Sequence, residues 1–180
     1  MSGTETLRND HRQIRRLEKI VIKCYTKLYA GDDIPFDDIE KMTTIMAEFL
    51  DAIHYSREED AYFPCVATYD SLKDEIRAFM IEHELSRRIA NNVATHLQKW
   101  KKGEDNREPV ARFLKAYAVY LNDHMTKEEK FFDQAESQVL SQEEEKMMYE
   151  EFRAVVAVTT RINEMIQSLD YLEQTSWMKN

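Results

Sequence analysis

Two five-residue segments constrain this chain more than any other feature. They are His54-Tyr-Ser-Arg-Glu58 and, seventy residues later, His124-Met-Thr-Lys-Glu128. On a helix, residues four apart lie one turn apart on the same face. Each segment therefore presents one imidazole and one carboxylate to the same point in space. His11 and His83 fall on two other expected helices. His11 precedes His54 by forty-three residues and His83 precedes His124 by forty-one, so a half-site is written twice. Four imidazoles and two carboxylates converging inside a helical bundle are a ligand set for a pair of first-row metal ions, iron foremost.

Composition supports the helical half of that reading. Three glycines and three prolines in 180 residues leave little turn chemistry for a sheet, and the abundant Glu, Lys, Leu, Met and Ala favour long helices. The length suffices for one domain with a substantial core. A formal charge of −9 and no Lys/Arg cluster interleaved with aromatics exclude a nucleic-acid surface. No apolar run approaches the roughly 18–20 residues needed to span a bilayer, and the first ten residues contain no apolar signal core. Cys24 and Cys65 are too few and too far apart for a disulfide scaffold or a thiolate site, so a reduced cytoplasmic setting is expected.

The periodicity predicts an all-α chain: an up-down-up-down four-helix bundle with a further long C-terminal fifth helix. The first helix runs from about Thr6 to Tyr29, with His11, Ile14, Leu17, Val21, Cys24 and Leu28 on its buried stripe. A second runs from about Asp37 to Phe63 and ends at Pro64. Ile39, Met46, Leu50, His54, Glu58 and Ala61 or Tyr62 share its inner face. A third covers roughly Ser71 to Lys101, placing Ile76, Met80, His83 and Ala90 together. A fourth runs from about Glu108 to Ala135 with Phe113, Tyr117, Tyr120 or Leu121, His124, Glu128 and Phe131 inward. Ser141-Gln-Glu-Glu144 is a capping-box start for the fifth, whose stripe reads Met148, Phe152, Val155, Ile162, Ile166 and Leu169. Residues 1–137 are thus expected to form the bundle. Residues 138–180 should add a helix to the same structural domain, packed on the bundle or on a partner, with a homodimer one outcome.

Short connections make neighbouring helices antiparallel, which allows a test of ligand level. Counted from the shared pole, the four histidines lie about five to twelve residues in. At about 1.5 Å per residue that is roughly 8–18 Å, so they can meet. A buried Glu beside a buried His is costly unless something cationic compensates, and a metal pair does so. His96 lies thirteen residues after His83 and rotates toward the opposite, solvent face. Glu59, Asp60 and Glu129 read as solvated charges near a bundle end. Asp10, Glu82 and Asp123 each directly precede a ligand histidine, where one or more can accept the second ring N–H of a ligand on a neighbouring helix. Tyr117 and Tyr120 line either the pocket or plain core.

These residues resemble the hemerythrin-like, or HHE cation-binding, domains. The matching segments are Asn-Asp-His11-Arg, His54-Tyr-Ser-Arg-Glu58-Glu-Asp-Ala-Tyr-Phe-Pro64, Ile-Glu-His83-Glu-Leu and Leu-Asn-Asp-His124-Met-Thr-Lys-Glu128-Glu, spread from about Asn9 to Phe132. The resemblance implies a four-helix bundle with an oxo- or hydroxo-bridged, non-haem di-iron centre. It makes His11, His54, His83 and His124 terminal ligands, with Glu58 and Glu128 bridging. The oxygen-carrying members have a fifth ligand histidine where this chain has Arg87, and a final Asp five residues after the last His where Glu128 stands four after. The set looks more like the four-histidine members, which include proteins that repair damaged iron centres and proteins that decompose peroxide.

Two histidines, two carboxylate oxygens and one bridging oxygen give each metal five ligands and leave one position open on each. The ferritin-like alternative needs Glu-x-x-His on two helices, which these histidines lack. The leading expectation is a di-iron protein that binds and turns over a small oxidant or gas, namely peroxide, O2 or NO. The alternative is a non-enzymatic module that senses or stores O2, NO or iron. A third reading makes the bundle a scaffold whose fifth helix docks a partner.

Overall fold

The computed structural model describes residues 1–179. Helix α1 spans Gly3–Ala30 and starts earlier than its apolar stripe suggests, because Ser2 caps it by accepting the Glu5 N–H. It ends where Gly31 takes a φ of 87° and donates its N–H back to Leu28, a left-handed turn that favours glycine. The second rod is composite. It runs through α2 (Phe36–Ile45), a π-helical segment π1 (Met46–Tyr55), a second one π2 (Glu58–Tyr62), and α3 (Phe63–Ala67). A π turn closes on the fifth residue and an α turn on the fourth, so a four-residue spacing keeps His54 and Glu58 on one face under either.

The expected stop at Pro64 is corrected. Pro64 lies where π2 gives way to α3, and the rod continues through it to Ala67. Two long helices complete the bundle, α4 (Lys73–Lys101) and α5 (Arg107–Gln138).

Cross-links fix the directions. Arg8 meets Glu129, Asp133 and Glu136, while Arg15, two turns further along α1, meets Asn122, so α1 and α5 run antiparallel. Glu59–His83, Asp51–Arg87 and Glu40–Lys101 order the second rod and α4 in the same opposed sense. Glu82–His124 and His96–Asn106 do so for α4 and α5.

The inner face of α4 differs from the expected one. Phe79, His83, Ser86, Val93 and Leu97 are buried, whereas Met80 is 40% exposed. At 100° per residue Met80 lies on the far flank of this stripe and Phe79 near its middle. His96 is not fully solvent-facing either: its Nδ1 pairs with Asn106 Oδ1 at 2.8 Å and its ring stacks on Phe113.

The C-terminal segment is helical but interrupted. It comprises α6 (Gln142–Arg153), α7 (Val156–Gln174) and the short α8 (Ser176–Lys179). The Ser141/Glu144 capping box starts α6 as its sequence predicts. The break falls in the run Ala154-Val-Val-Ala-Val158, where β-branched residues lower helix propensity. It turns the stripe, leaving Val155 exposed and burying Met165, Leu169 and Leu172. Glu145 fastens α6 to the start of α1 by accepting from the Thr4 N–H at 2.9 Å and the Thr4 hydroxyl at 2.5 Å. Trp177 fastens α8 by donating its Nε1–H to the buried Asp38 at 2.8 Å.

Two apolar clusters fill the interior. The larger holds Leu17, Val21, Met46, Leu50, Leu114 and Leu169, among others; the smaller holds Leu7, Tyr62, Phe63, Phe79, Phe131, Phe132 and Phe152. Between them lies a polar layer. No described helix is long and apolar enough to cross a membrane.

Candidate metal centre

The polar layer consists of the six side chains singled out from the sequence. His11, His54, His83, His124, Glu58 and Glu128 are all buried, one or two from each rod. Ligating atoms of His11, His54, Glu58 and Glu128 lie within 4.8 Å of one another, and so do those of His83, His124 and Glu128. The carboxylates span the two groups. Glu128 Oε2 lies 3.2 Å from His11 Nε2, and its Oε1 lies 3.1 Å from His124 Nε2 and 3.6 Å from His83 Nε2. Glu58 Oε1 lies 3.5 Å from His54 Nε2 and its Oε2 lies 3.4 Å from His83 Nε2. Each carboxylate thus offers one oxygen to either imidazole pair.

These atoms lack partners. Ten buried side-chain N and O atoms make no hydrogen bond among the described residues, and nine of them belong to these six residues. All four Nε2 atoms and all four carboxylate oxygens are in that set. Leaving a buried polar group unsatisfied costs about 1–3 kcal/mol, more for a charge, so eight facing one another in a single layer point to a ligand; the ninth, His54 Nδ1, faces outward to Asp10. Imidazole nitrogens and carboxylate oxygens are donors suited to first-row cations. The layer fits a metal site.

The outer ring nitrogens show how the layer is aimed. His11 Nδ1 donates to Glu129 at 2.7 Å, His83 Nδ1 to Glu59 at 2.7 Å and His124 Nδ1 to Glu82 at 2.8 Å. An ionised carboxylate only accepts, so each Nδ1 carries the proton and each Nε2 lone pair faces inward. His54 is approached likewise by Asp10, but at 3.5 Å. The contacts close a ring around the bundle: Asp10 of α1 faces the second rod, Glu59 faces α4, Glu82 faces α5 and Glu129 faces α1. A cation backs each carboxylate, Arg57 on Asp10, Arg87 on Glu59, Lys127 on Glu82 and Arg8 on Glu129.

This corrects the expectation that Glu59 and Glu129 are merely solvated. Of the three residues preceding a histidine, Glu82 makes the expected bond and Asp10 stands close. Asp123 is exposed and pairs with Lys127 instead. The missed signal was the repeated Glu-Glu pair, Glu58-Glu59 and Glu128-Glu129.

Electrostatics mirror the geometry. Burial disfavours charge on Glu128, yet the His124, His11 and His83 imidazoles hold it well below the usual carboxylate range. Burial, and then the neighbouring Glu128 charge, push Glu58 well above that range. Burial opposes charge on His124 too, but Glu128 and Glu82 outweigh it and raise the ring to about 9. Burial takes His54 down to about 4, with Asp10 offsetting it only in part. Without metal, a proton on His124 stands where cationic charge is wanted.

Aromatic rings seal both sides. Toward the larger cluster, Tyr55 stacks on His83 with centroids 3.9 Å apart and Tyr120 on His124 at 4.9 Å. Tyr55 donates to Ser86 at 2.9 Å and shares a 3.2 Å contact with the Tyr120 hydroxyl. Toward the pole, Phe132 stacks on His11, Phe63 on His83, and Phe79 meets His124 edge-on. Tyr117 is buried core; Tyr55, adjacent to His54, is a lining residue that sequence reasoning did not single out. Arg87 points away from the layer, bonded to Asp51 at 2.6 Å and Glu59 at 2.9 Å, and offers it no donor.

A family model described as the hemerythrin HHE cation binding domain matches residues 2–135. Neither a curated protein nor a solved structure matches the chain.

Proposed function

The chain belongs to the family of hemerythrin HHE cation-binding domains, and from that premise we propose that its polar layer holds two non-haem irons that bind and react with a small oxidant or gas (peroxide, O2 or NO). The observation that supports this most is the set of eight inward-facing, unpartnered buried atoms on six side chains. In this reading His11 and His54 would hold one iron and His83 and His124 the other, with Glu58 and Glu128 offering an oxygen to each pair. When bound, the iron pair supplies Lewis-acid binding and one-electron redox change at each metal.

The chain's own residues do the rest. Glu129, Glu59 and Glu82 fix the tautomers of His11, His83 and His124 and make those rings stronger donors. The phenylalanines on one side and Tyr55 and Tyr120 on the other exclude bulk water, which favours a small, weakly hydrated reactant over a large polar one. With two imidazoles and two carboxylate oxygens per metal, the protein supplies four of six positions. Arg87 adds none, because Asp51 and Glu59 turn it outward. The chain's donor set is therefore alike for both imidazole pairs, so a bound iron pair would supply its chemistry at two similar positions.

Iron-loaded protein titrated with hydrogen peroxide and with nitric oxide tests this. Rapid oxygen evolution or nitrous oxide formation is the expected result. A stable, fully reversible adduct with neither product would favour the sensing or storage module instead. No stoichiometric iron would remove both readings.

A further inference from the structure

The four outer contacts are unequal. Three imidazoles reach their carboxylate at 2.7–2.8 Å, whereas His54 Nδ1 stands 3.5 Å from Asp10 Oδ2 and has no hydrogen-bond partner. One cause is length, since Asp is a methylene shorter than Glu. The other is competition. Arg57 Nη1 donates to that same Asp10 oxygen at 2.6 Å, and the side chains are only 10% and 7% exposed. One carboxylate oxygen can serve both donors, as Glu59 Oε1 does for His83 at 2.7 Å and Arg87 at 2.9 Å; at Asp10 the shorter side chain, drawn to the more deeply buried Arg57, does not reach both.

The other half of the repeat is the control. Lys127 stands seventy residues after Arg57, and it takes Glu82 Oε1 at 2.7 Å while His124 takes Oε2 at 2.8 Å. There the cation and the imidazole use separate oxygens, and Lys127 is half exposed. Arg57 lacks that freedom because Phe152 of α6 lies over it, with the guanidinium carbon 5.4 Å from the ring centroid. Phe152 itself is buried in the smaller cluster. It lies past residue 135, where the family match ends.

We propose that the C-terminal segment, acting through Phe152 and Arg57, holds Asp10 off His54 and so makes the His11/His54 metal position the weaker and more exchangeable of the two. The inference rests on the two-metal reading above. Phe152, Arg57 and Asp10 are positioning residues: none is offered as a ligand. Docking of α6 then sets how readily one metal leaves while the other stays.

The test is titration of metal-free full-length protein with Co(II), followed by absorption and calorimetry. Wild type should bind in two steps separated by about 10–100-fold, the usual worth of an outer hydrogen bond on a ligand histidine. Arg57→Gln, which frees Asp10 to take the His54 N–H, should close most of that gap by strengthening the weaker step. Phe152→Ala should close part of it, and it carries the test if Arg57→Gln fails to fold. Glu82→Gln should weaken the tighter step instead. Asp10→Asn, which keeps an acceptor for Arg57, should leave both steps within about threefold of wild type. Equal steps in wild type, an unchanged gap in a folded Arg57 or Phe152 variant, or a large loss in Asp10→Asn would each overturn the inference. No Co(II) binding at all would instead overturn the two-metal reading.

Discussion

Glu128 is the most heavily used side chain of the layer, lying within 3.6 Å of His11, His83 and His124. Glu128→Gln replaces one of its two oxygens with an amide nitrogen that cannot ligate. Metal content after desalting should fall from two per chain to one or less, as elemental analysis would show. The outer carboxylates act at one remove. Glu129→Gln and Glu59→Gln should each weaken metal binding about 10–100-fold without changing the final stoichiometry, whereas Asp123→Asn should change nothing, because Asp123 faces Lys127 and solvent. Competition against a chromogenic chelator separates these outcomes. The six inner residues were legible because helical period fixes which side chains share a face. The outer ones were not. A Glu one place past an inward Glu looks solvent-facing on its own helix, and its partner histidine sits on the next helix, a pairing that periodicity within one segment does not carry.

At the scale of elements, the long amphipathic stripes of α1, α4 and α5 made their helices plain. Stripe edges are less so: Met80 and Phe79 both lie about one turn from His83, and only packing decides that Phe79 is the buried one. The π segments around His54 and Glu58 carry no sequence mark, since the same four-residue spacing suits either helix type. Pro64 does not stop the second rod, because it falls at the change from π2 to α3, where the pattern of backbone bonds itself changes. The docking of α6 was also hidden, because it depends on one carboxylate meeting a helix start 141 residues away. Glu145→Ala would leave the Thr4 N–H and hydroxyl without that acceptor in a buried place. It should destabilise the protein by about 1–3 kcal/mol, measured by urea denaturation of the loaded form. A change within a few tenths would mean that Glu145 does not fasten the segment.

For the whole molecule, folding and metal binding are linked. A ligand that binds only the folded state stabilises it by about 2.7 kcal/mol at one hundred times its Kd, so chelation should lower Tm by several degrees per site. The size of that drop should depend on pH. His124 is raised from 6.5 to about 9, so the stability that its proton gives the metal-free protein is fully present below about pH 6.5 and lost as pH rises through about 9. Glu58, raised well above 4.5, acts in the same direction: the folded state keeps a proton that the unfolded chain gives up. Metal replaces these protons, so the Tm gap between loaded and metal-free protein should widen between pH 6.5 and 9. Thermal scans across that range check it, and a constant gap would contradict it.

All of these outcomes depend on whether two cations occupy the layer between the two apolar clusters. The most direct measurement is an anomalous difference map, collected at the iron edge, from crystals of the iron-loaded protein. Two peaks are predicted, one beside His11 and His54 and one beside His83 and His124, each within ligand distance of Glu58 and Glu128 oxygens. A single peak elsewhere, or none with the six side chains bonded to one another, would contradict the account.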